Sequence, residues 1–185
     1  MKLYNRNFAV GDRIEYMGWI NEGVINNNIS WQTYKPRFLV LKGTEVMFFD
    51  SPPLSVSCLA KPTCAYKVYQ TMFRVIKESE TVDARQHCFL LQSSPPQSSP
   101  RYLSVETRQE LLRIENSWNS TIITSVIKLG RKTFAVLHLS RSGGLTLDWQ
   151  SGFSLTGSDS TIVWKYKFSA LRGSSDDGKS KRITT

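Results

Sequence analysis

The sequence predicts a mainly β chain with one long α-helix: seven short strands, the helix, and then a smaller β-rich unit. Three observations carry this reading. Apolar residues at Leu111, Ile114, Trp118, Ile122, Val126 and Leu129 recur at steps of three and four, the spacing that lines one face of a helix. Before them, short aromatic and β-branched stretches are separated by polar turns. After them, Leu145, Leu147 and Trp149 alternate as a half-buried strand does.

Residues 1–15 have no clear period and read as a linker or first edge strand. Gly18 to Ile25 is β-prone, and Asn26-Asn27-Asn28 turns the chain. Trp31 opens the next strand, whose run Phe38-Leu39-Val40-Leu41 predicts burial on both faces, with Pro36 near its start. Lys42-Gly43-Thr44-Glu45 makes the clearest hairpin, leading into Val46 to Phe49. Asp50-Ser51-Pro52-Pro53 ends it, and the chain is irregular to Pro62. Tyr66–Tyr69, Phe73–Ile76, Cys88–Leu91 and Tyr102-Leu103 follow as strands, with a low-complexity loop from Ser93 to Pro100. The helix is predicted over Val105–Leu129, capped by Ser104 and ended by Gly130, and is weakest over Asn116–Thr121. Two orthogonal sheets with the helix plugging an open corner would bury these faces, giving a domain over 16–129. Beyond it, Phe134–Leu139, a stretch after a Gly143-Gly144 turn, Gly152–Leu155 and Ile162–Phe168 predict four strands with no covering helix, an incomplete core over 130–185.

The 185 residues carry a net charge of +9, unevenly spread. Residues 1–120 hold 14 basic and 11 acidic side chains, whereas 121–185 hold 10 and 4, so an acidic partner would be drawn to the carboxy-terminal part. No stripe of cations interleaved with aromatics supports nucleic-acid binding. The amino terminus lacks a signal-like apolar run, and no stretch reaches membrane-spanning length, which places the expected location inside the cell. Cys58, Cys64 and Cys88, an odd number in apolar or strand-like settings, are expected to be reduced packing residues. His87 and His138 have no nucleophile or base beside them in sequence, so catalytic residues are not predicted. His87 and Cys88 with Cys58 and Cys64 lack knuckle spacing for zinc, and Asp176-Asp177-Gly178 lacks the alternating ligands of a calcium loop. No glycine-rich phosphate loop is present, and neither metal nor cofactor is expected.

G-W-I-N-E-G at Gly18, W-Q-T-Y-K-P-R-F-L-V-L-K from Trp31, H-C-F-L-L-Q at His87 and R-Y-L-S-V-E-T at Arg101 resemble a pleckstrin-homology domain, a seven-stranded orthogonal sandwich capped by a carboxy-terminal helix. One departure is visible: the family's mid-helix tryptophan falls nearest Ile114 by spacing, with Trp118 one turn later. L-T-L-D-W-Q-S-G-F-S-L and V-W-K-Y-K-F-S-A-L-R-G-S-S-D-D-G-K resemble the unique region of syntrophins, closest to the gamma branch, which follows the second pleckstrin-homology domain there. The family's further strands and terminal helix are absent after Thr185, and its amino-terminal PDZ domain is absent too, so the resemblance implies a truncated unique region.

The resemblance implies a non-enzymatic adapter, linking dystrophin-, utrophin- or dystrobrevin-type proteins to membrane-associated signalling molecules. The implied location is the cytoplasm, cytoskeleton and inner face of the plasma membrane, with the nucleus as a further compartment. Two sets of candidate residues follow. Lipid-binding pleckstrin-homology domains present a first-strand lysine and a basic-x-arginine pair on the second strand. Lys35 and Arg37 match the pair and Lys42 lies nearby, but no Lys or Arg occurs from Ile14 to Tyr34. The alternative function is therefore a phosphoinositide- or anionic-membrane-binding pleckstrin-homology module, with weak contact of about 1 kcal/mol per charge expected from this set. For a protein partner, Phe153 and Trp164 with Lys165, Lys167 and Arg172 would present an apolar strand surface with basic flanks to an amphipathic, partly acidic helix. Aromatic residues in such strands are more often core.

Overall fold

Alternating apolar and polar residues build, among the described residues, antiparallel sheets of seven, four and two strands, and the chain divides into two units between Ser125 and Val126. The computed structural model describes residues 13–23, 33–80, 85–93, 100–176 and 181–184, the side chains of 78, 174–176 and 181–184 excepted. Trp31, the asparagine turn and most of the Ser93–Pro100 loop lie outside the described residues.

In the first unit the elements run β1 (Ile14–Gly23), β2 (Tyr34–Lys42), β3 (Glu45–Phe49), α1 (Val56–Leu59), β4 (Cys64–Lys67), β5 (Thr71–Val75), β6 (Cys88–Ser93), β7 (Arg101–Ser104) and α2 (Arg108–Leu129). The sheet order is β4-β3-β2-β1-β7-β6-β5. β1 is its hinge strand: it pairs with β2 along its length but with β7 only through Asn21–Gly23. The core draws Ile20, Leu39, Val46 and Phe48 from one side of that hinge and Phe89, Leu91 and Leu103 from the other, so the sheet folds over a shared interior. Phe38–Leu41 is buried throughout, as an apolar run without alternation predicts. Gly43, at φ +60°, takes the left-handed conformation needed at the start of a two-residue hairpin turn between Lys42 and Glu45. The sequence reading missed α1; Ser55 caps it by accepting from the Cys58 N–H, and its Leu59 packs with Phe38, Val40, Met47 and Phe49 on the outer face of the sheet.

The helix closes the inner core, with Leu111, Ile114 and Trp118 buried and Trp118 stacked on Phe73 at 5.3 Å. Two expectations change here. Thr107, not Ser104, caps α2 by accepting from the Glu110 N–H at 3.2 Å, because Ser104 is already the last residue of β7. The buried stripe also shifts by one residue after Trp118: Thr121 and Ser125 are fully buried, whereas Ile122 and Val126 are half-buried and Leu129 is exposed. Thr121 and Ser125 donate to the carbonyls of Ser117 and Thr121, so their hydroxyls are satisfied within the helix. Small side chains then let the helix lie close, and it runs unbroken through Asn119. In the same core, the buried Tyr16 hydroxyl donates to Glu110 Oε1 at 2.6 Å, and burial with this bond raises its pKa. A Cβ at Gly18 would fall 2.4 Å from that hydroxyl, so the glycine leaves room for the tyrosine.

The second unit holds β8 (Arg131–His138), β9 (Arg141–Asp148), β10 (Gly152–Gly157) and β11 (Ile162–Tyr166) in the order β11-β10-β9-β8, then the pair β12 (Gly173–Asp176) and β13 (Lys181–Thr184). Asp177 and Gly178 of the Asp176-Asp177-Gly178 stretch lie outside the described residues. The Gly143-Gly144 turn is corrected: both glycines lie inside β9, and Leu139 and Ser140, at φ +49° and +62°, make the turn. The glycines serve close approach instead, since a Cβ at Gly143 would fall 2.5 Å from the Thr156 carbonyl oxygen. Between β9 and β10, the Asp148 carboxylate accepts from the Ser151 and Gln150 N–H groups and from Arg131 Nε, which holds its pKa down to about 2.

Trp118→Ala removes the largest buried side chain of the first unit and should cost about 3–5 kcal/mol. Chemical denaturation reads this as a lower midpoint at unchanged slope; a variant that unfolds with the parent contradicts the packing described.

Candidate functional site

Two regions gather the charged and apolar groups that could meet a partner, one in each unit. In the first, Glu22 lies on β1 between β2 and β7, facing the core side with Ile20. Register places Lys35 opposite Glu22 and Arg37 opposite Ile20, so both cations share that side. Arg37 Nε donates to Glu22 Oε2 at 3.0 Å, and its side chain and that of Glu22 are each only 15% exposed. Arg37 also pairs with Asp50, which Lys35 approaches at 3.6 Å. From β7, Arg101 pairs with the other oxygen of Glu22, donates to the Tyr66 hydroxyl and the Cys64 sulfur, and lies over the Phe48 ring at 4.8 Å.

This geometry changes the lipid reading. Lys42 does not join Lys35 and Arg37: seven residues along one strand put it about 23 Å away and on the opposite face. The remaining pair is occupied by Asp50 and Glu22, two carboxylates that a cation count along β2 does not reveal. Glu22 was within reach of sequence reasoning, because β1–β2 pairing makes it a cross-strand neighbour of Lys35; Arg101 was not, because its approach depends on the hinge between β1 and β7. A headgroup phosphate would have to displace a partly buried carboxylate, and partly buried ion pairs resist losing one partner.

The second region is the four-stranded sheet, whose register sorts its residues into two faces. Phe134, Leu145, Leu155 and Trp164 stand in one row and Lys132, Leu147, Phe153 and Tyr166 in the next, all on the same side. The other side carries Thr133, Thr146, Ser154 and Lys165. Along these rows the first side is apolar and the second polar, as in a sheet with one covered face; further along, Leu137 and Ile162 lie exposed on the second side. Phe153 sits at its centre, 3% exposed, ringed by Trp164, Tyr166 and Phe168 at 5.7, 5.8 and 6.0 Å. Phe134, Leu147, Tyr166, Phe168 and Leu171 nevertheless keep about 40% of their surface exposed.

Of the residues expected to meet a partner, Phe153 is the floor of this face and Trp164 is half-buried beside it. Lys165 lies on the polar side, while Lys167 and Arg172 are exposed just after β11. Sequence reasoning missed Phe134, Leu147 and Tyr166 as surface residues, although the alternation of Leu145 with Leu147 was the signal that could have paired them across strands. Among the described residues no group of three or more His, Cys, Asp or Glu could hold a metal, and no helix is long and apolar enough to cross a membrane. The cysteines are free thiols; Cys88 is buried and Cys64 half-buried, but Cys58 is exposed on α1 and does not pack as expected.

The Asp50 arrangement predicts a direction. The unaltered chain should float with anionic liposomes weakly and lose them as salt rises, and Asp50→Asn should increase binding by releasing Lys35 and removing one of the two carboxylates that hold Arg37. Tight, salt-resistant selection of one phosphoinositide by the unaltered chain would contradict this.

No family model matches the chain. Gamma-1-syntrophin of Mus musculus is 36% identical over 182 residues, covering 98% of this chain and 35% of that protein. Gamma-2-syntrophin of Mus musculus is 28% identical over 200 residues, again across 98% of this chain. The chain thus spans about a third of the length of the relatives it matches. Among solved structures, the PH domain of human pleckstrin homology domain-containing protein family A member 5 has a TM-score of 0.48 at 10% identity, over 66% of this chain and 88% of that one. Matched along nearly its whole length, this chain is a syntrophin homologue of the gamma branch.

Proposed function

We propose that this chain is a non-enzymatic adapter whose protein partner docks on the open apolar face of β8–β11. It comprises a pleckstrin-homology-like domain over 16–129 and a syntrophin-unique-like region over 130–185. The observation that carries the reading is the set of half-exposed apolar side chains Phe134, Leu147 and Tyr166, in two adjacent rows on one face of a sheet whose other face is mainly polar. A contiguous apolar surface of this kind marks an interaction site more often than a scattering of single exposed residues does.

Charge points to the kind of partner. Ten basic against four acidic residues over 121–185 favour an acidic companion, and Asp148 is already held by Arg131 and its own turn. An amphipathic helix with apolar residues at three- and four-residue steps and acidic flanks would cover the face. The syntrophin resemblance names that partner as a dystrophin-type protein, which the adapter would join to membrane-associated signalling molecules at the cytoplasmic face of the plasma membrane. Membrane contact would then be a weak, charge-driven supplement, because Lys35 and Arg37 are paired internally.

Titration with a dystrophin-type coiled-coil segment tests the reading. Tyr166→Asp or Phe134→Asp, each at a half-exposed position, should weaken binding tenfold or more, about 1.4 kcal/mol, while leaving the fold intact. Unchanged affinity in both variants would refute docking on this face.

A further inference from the structure

At one end of the same sheet the apolar face gives way to a cleft of about 550 Å³ between the β8–β9 and β10–β11 turns. Its floor lacks side chains because Gly143 and Gly157 stand directly opposite each other on β9 and β10. A Cβ at Gly157 would fall 2.8 Å from Asp159 Oδ1, so a side chain there would also disturb the neighbouring turn. His138 and Arg141, a cross-strand pair, supply one wall, and Leu155 connects the cleft to the apolar face. Neither His138 nor Arg141 has a side-chain partner among the described residues, unlike Lys35, Arg37, Arg101 and Arg131.

The opposite wall carries the cleft's acid. Asp159 Oδ1 accepts from the Thr161 N–H at 3.1 Å and its hydroxyl at 2.7 Å, so that oxygen is committed to its own turn and keeps it closed. Leu139, which lines the cleft, and Ser140 and Ser160 in the two turns beside it have left-handed backbone. Such conformations persist only where neighbouring structure enforces them. The cleft therefore has a cationic side, an acidic side and an apolar threshold.

We propose that this cleft takes an anionic oxygen group, a carboxylate or a phosphate monoester, presented by the protein that docks on the apolar face. Arg141 is the principal cation, able to meet two oxygens at once through its planar guanidinium, and His138 supplies a second N–H donor. Asp159 repels an anion from the far wall and so confines it to the Arg141 side. The cleft would fix the direction and register of a helix that the apolar rows alone would accept in either orientation. The proposal rests on the docking reading for its partner but not for its chemistry.

Small anions separate the two. Amide spectra of the whole chain are recorded with inorganic phosphate and, separately, with acetate at constant ionic strength. Saturable shifts centred on Gly143 and Gly157 are expected, with Arg141→Gln weakening them at least fivefold and Asp159→Asn, which keeps an acceptor for Thr161, strengthening them two- to threefold. Saturation by phosphate alone assigns a phosphorylated partner residue; saturation by both admits an Asp or Glu. Shifts that never saturate, or that Arg141→Gln leaves unchanged, overturn the proposal. Anion binding without helix binding would leave the cleft standing and remove the docking reading, and the converse would do the reverse.

Discussion

An antiparallel sheet with one apolar face must have that face covered, and the two units of this chain meet the requirement differently. In the first, the sheet folds at β1 and α2 closes the remaining gap, so that Ile20, Phe48, Phe89 and Trp118 share one interior. In the second, the register produces an equally clear apolar face, yet the only cover among its described residues is the cluster of Trp164, Tyr166 and Phe168 around Phe153. Phe134 and Leu147, toward β8, remain exposed. A folded chain leaves such surface in place when something else completes it.

Electrostatics reinforce the division. The first unit turns its charges inward, with Glu22 holding Arg37 and Arg101 from opposite sides and Asp50 holding Arg37 and Lys35. Removing Glu22 would take one partner from each of two partly buried cations, Arg37 and Arg101, whereas Asp50 lies on the exposed edge of the network. That network joins strands on both sides of the hinge and withdraws the cations that a membrane headgroup would need. The second unit keeps Arg141, Lys165, Lys167 and Arg172 exposed, so long-range attraction for an acidic surface originates there.

Much of this was legible in the sequence where a local pattern decides structure. The succession of strands along the chain, the Gly43 hairpin and the start of the helix stripe all follow from periodicity and turn chemistry. The stripe lost its phase after Trp118 because hydropathy ranks Ile122 above Thr121, whereas the packed helix favours small residues whose hydroxyls bond within the helix. Gly143-Gly144 read as a turn because the need for close approach to Thr156 arises from β10, a strand that the local pattern does not see. The lipid candidates were chosen by charge and proximity in sequence; Asp50 lies beyond the next hairpin, and only the folded register shows that it reaches Arg37. For the partner face, residue type was legible, but the exposed members could be identified only once four strands were aligned.

The most direct test of the account is to map the surface covered when an acidic amphipathic helix from a dystrophin-type protein binds, using cross-saturation from the helix to the side chains of this chain. The account predicts transfer to Phe134, Leu147, Tyr166 and Phe168, with Thr133, Thr146 and Ser154 on the opposite face unaffected. Transfer concentrated on the β1–β2 side of the first unit, or spread equally over both faces of the four-stranded sheet, would contradict it.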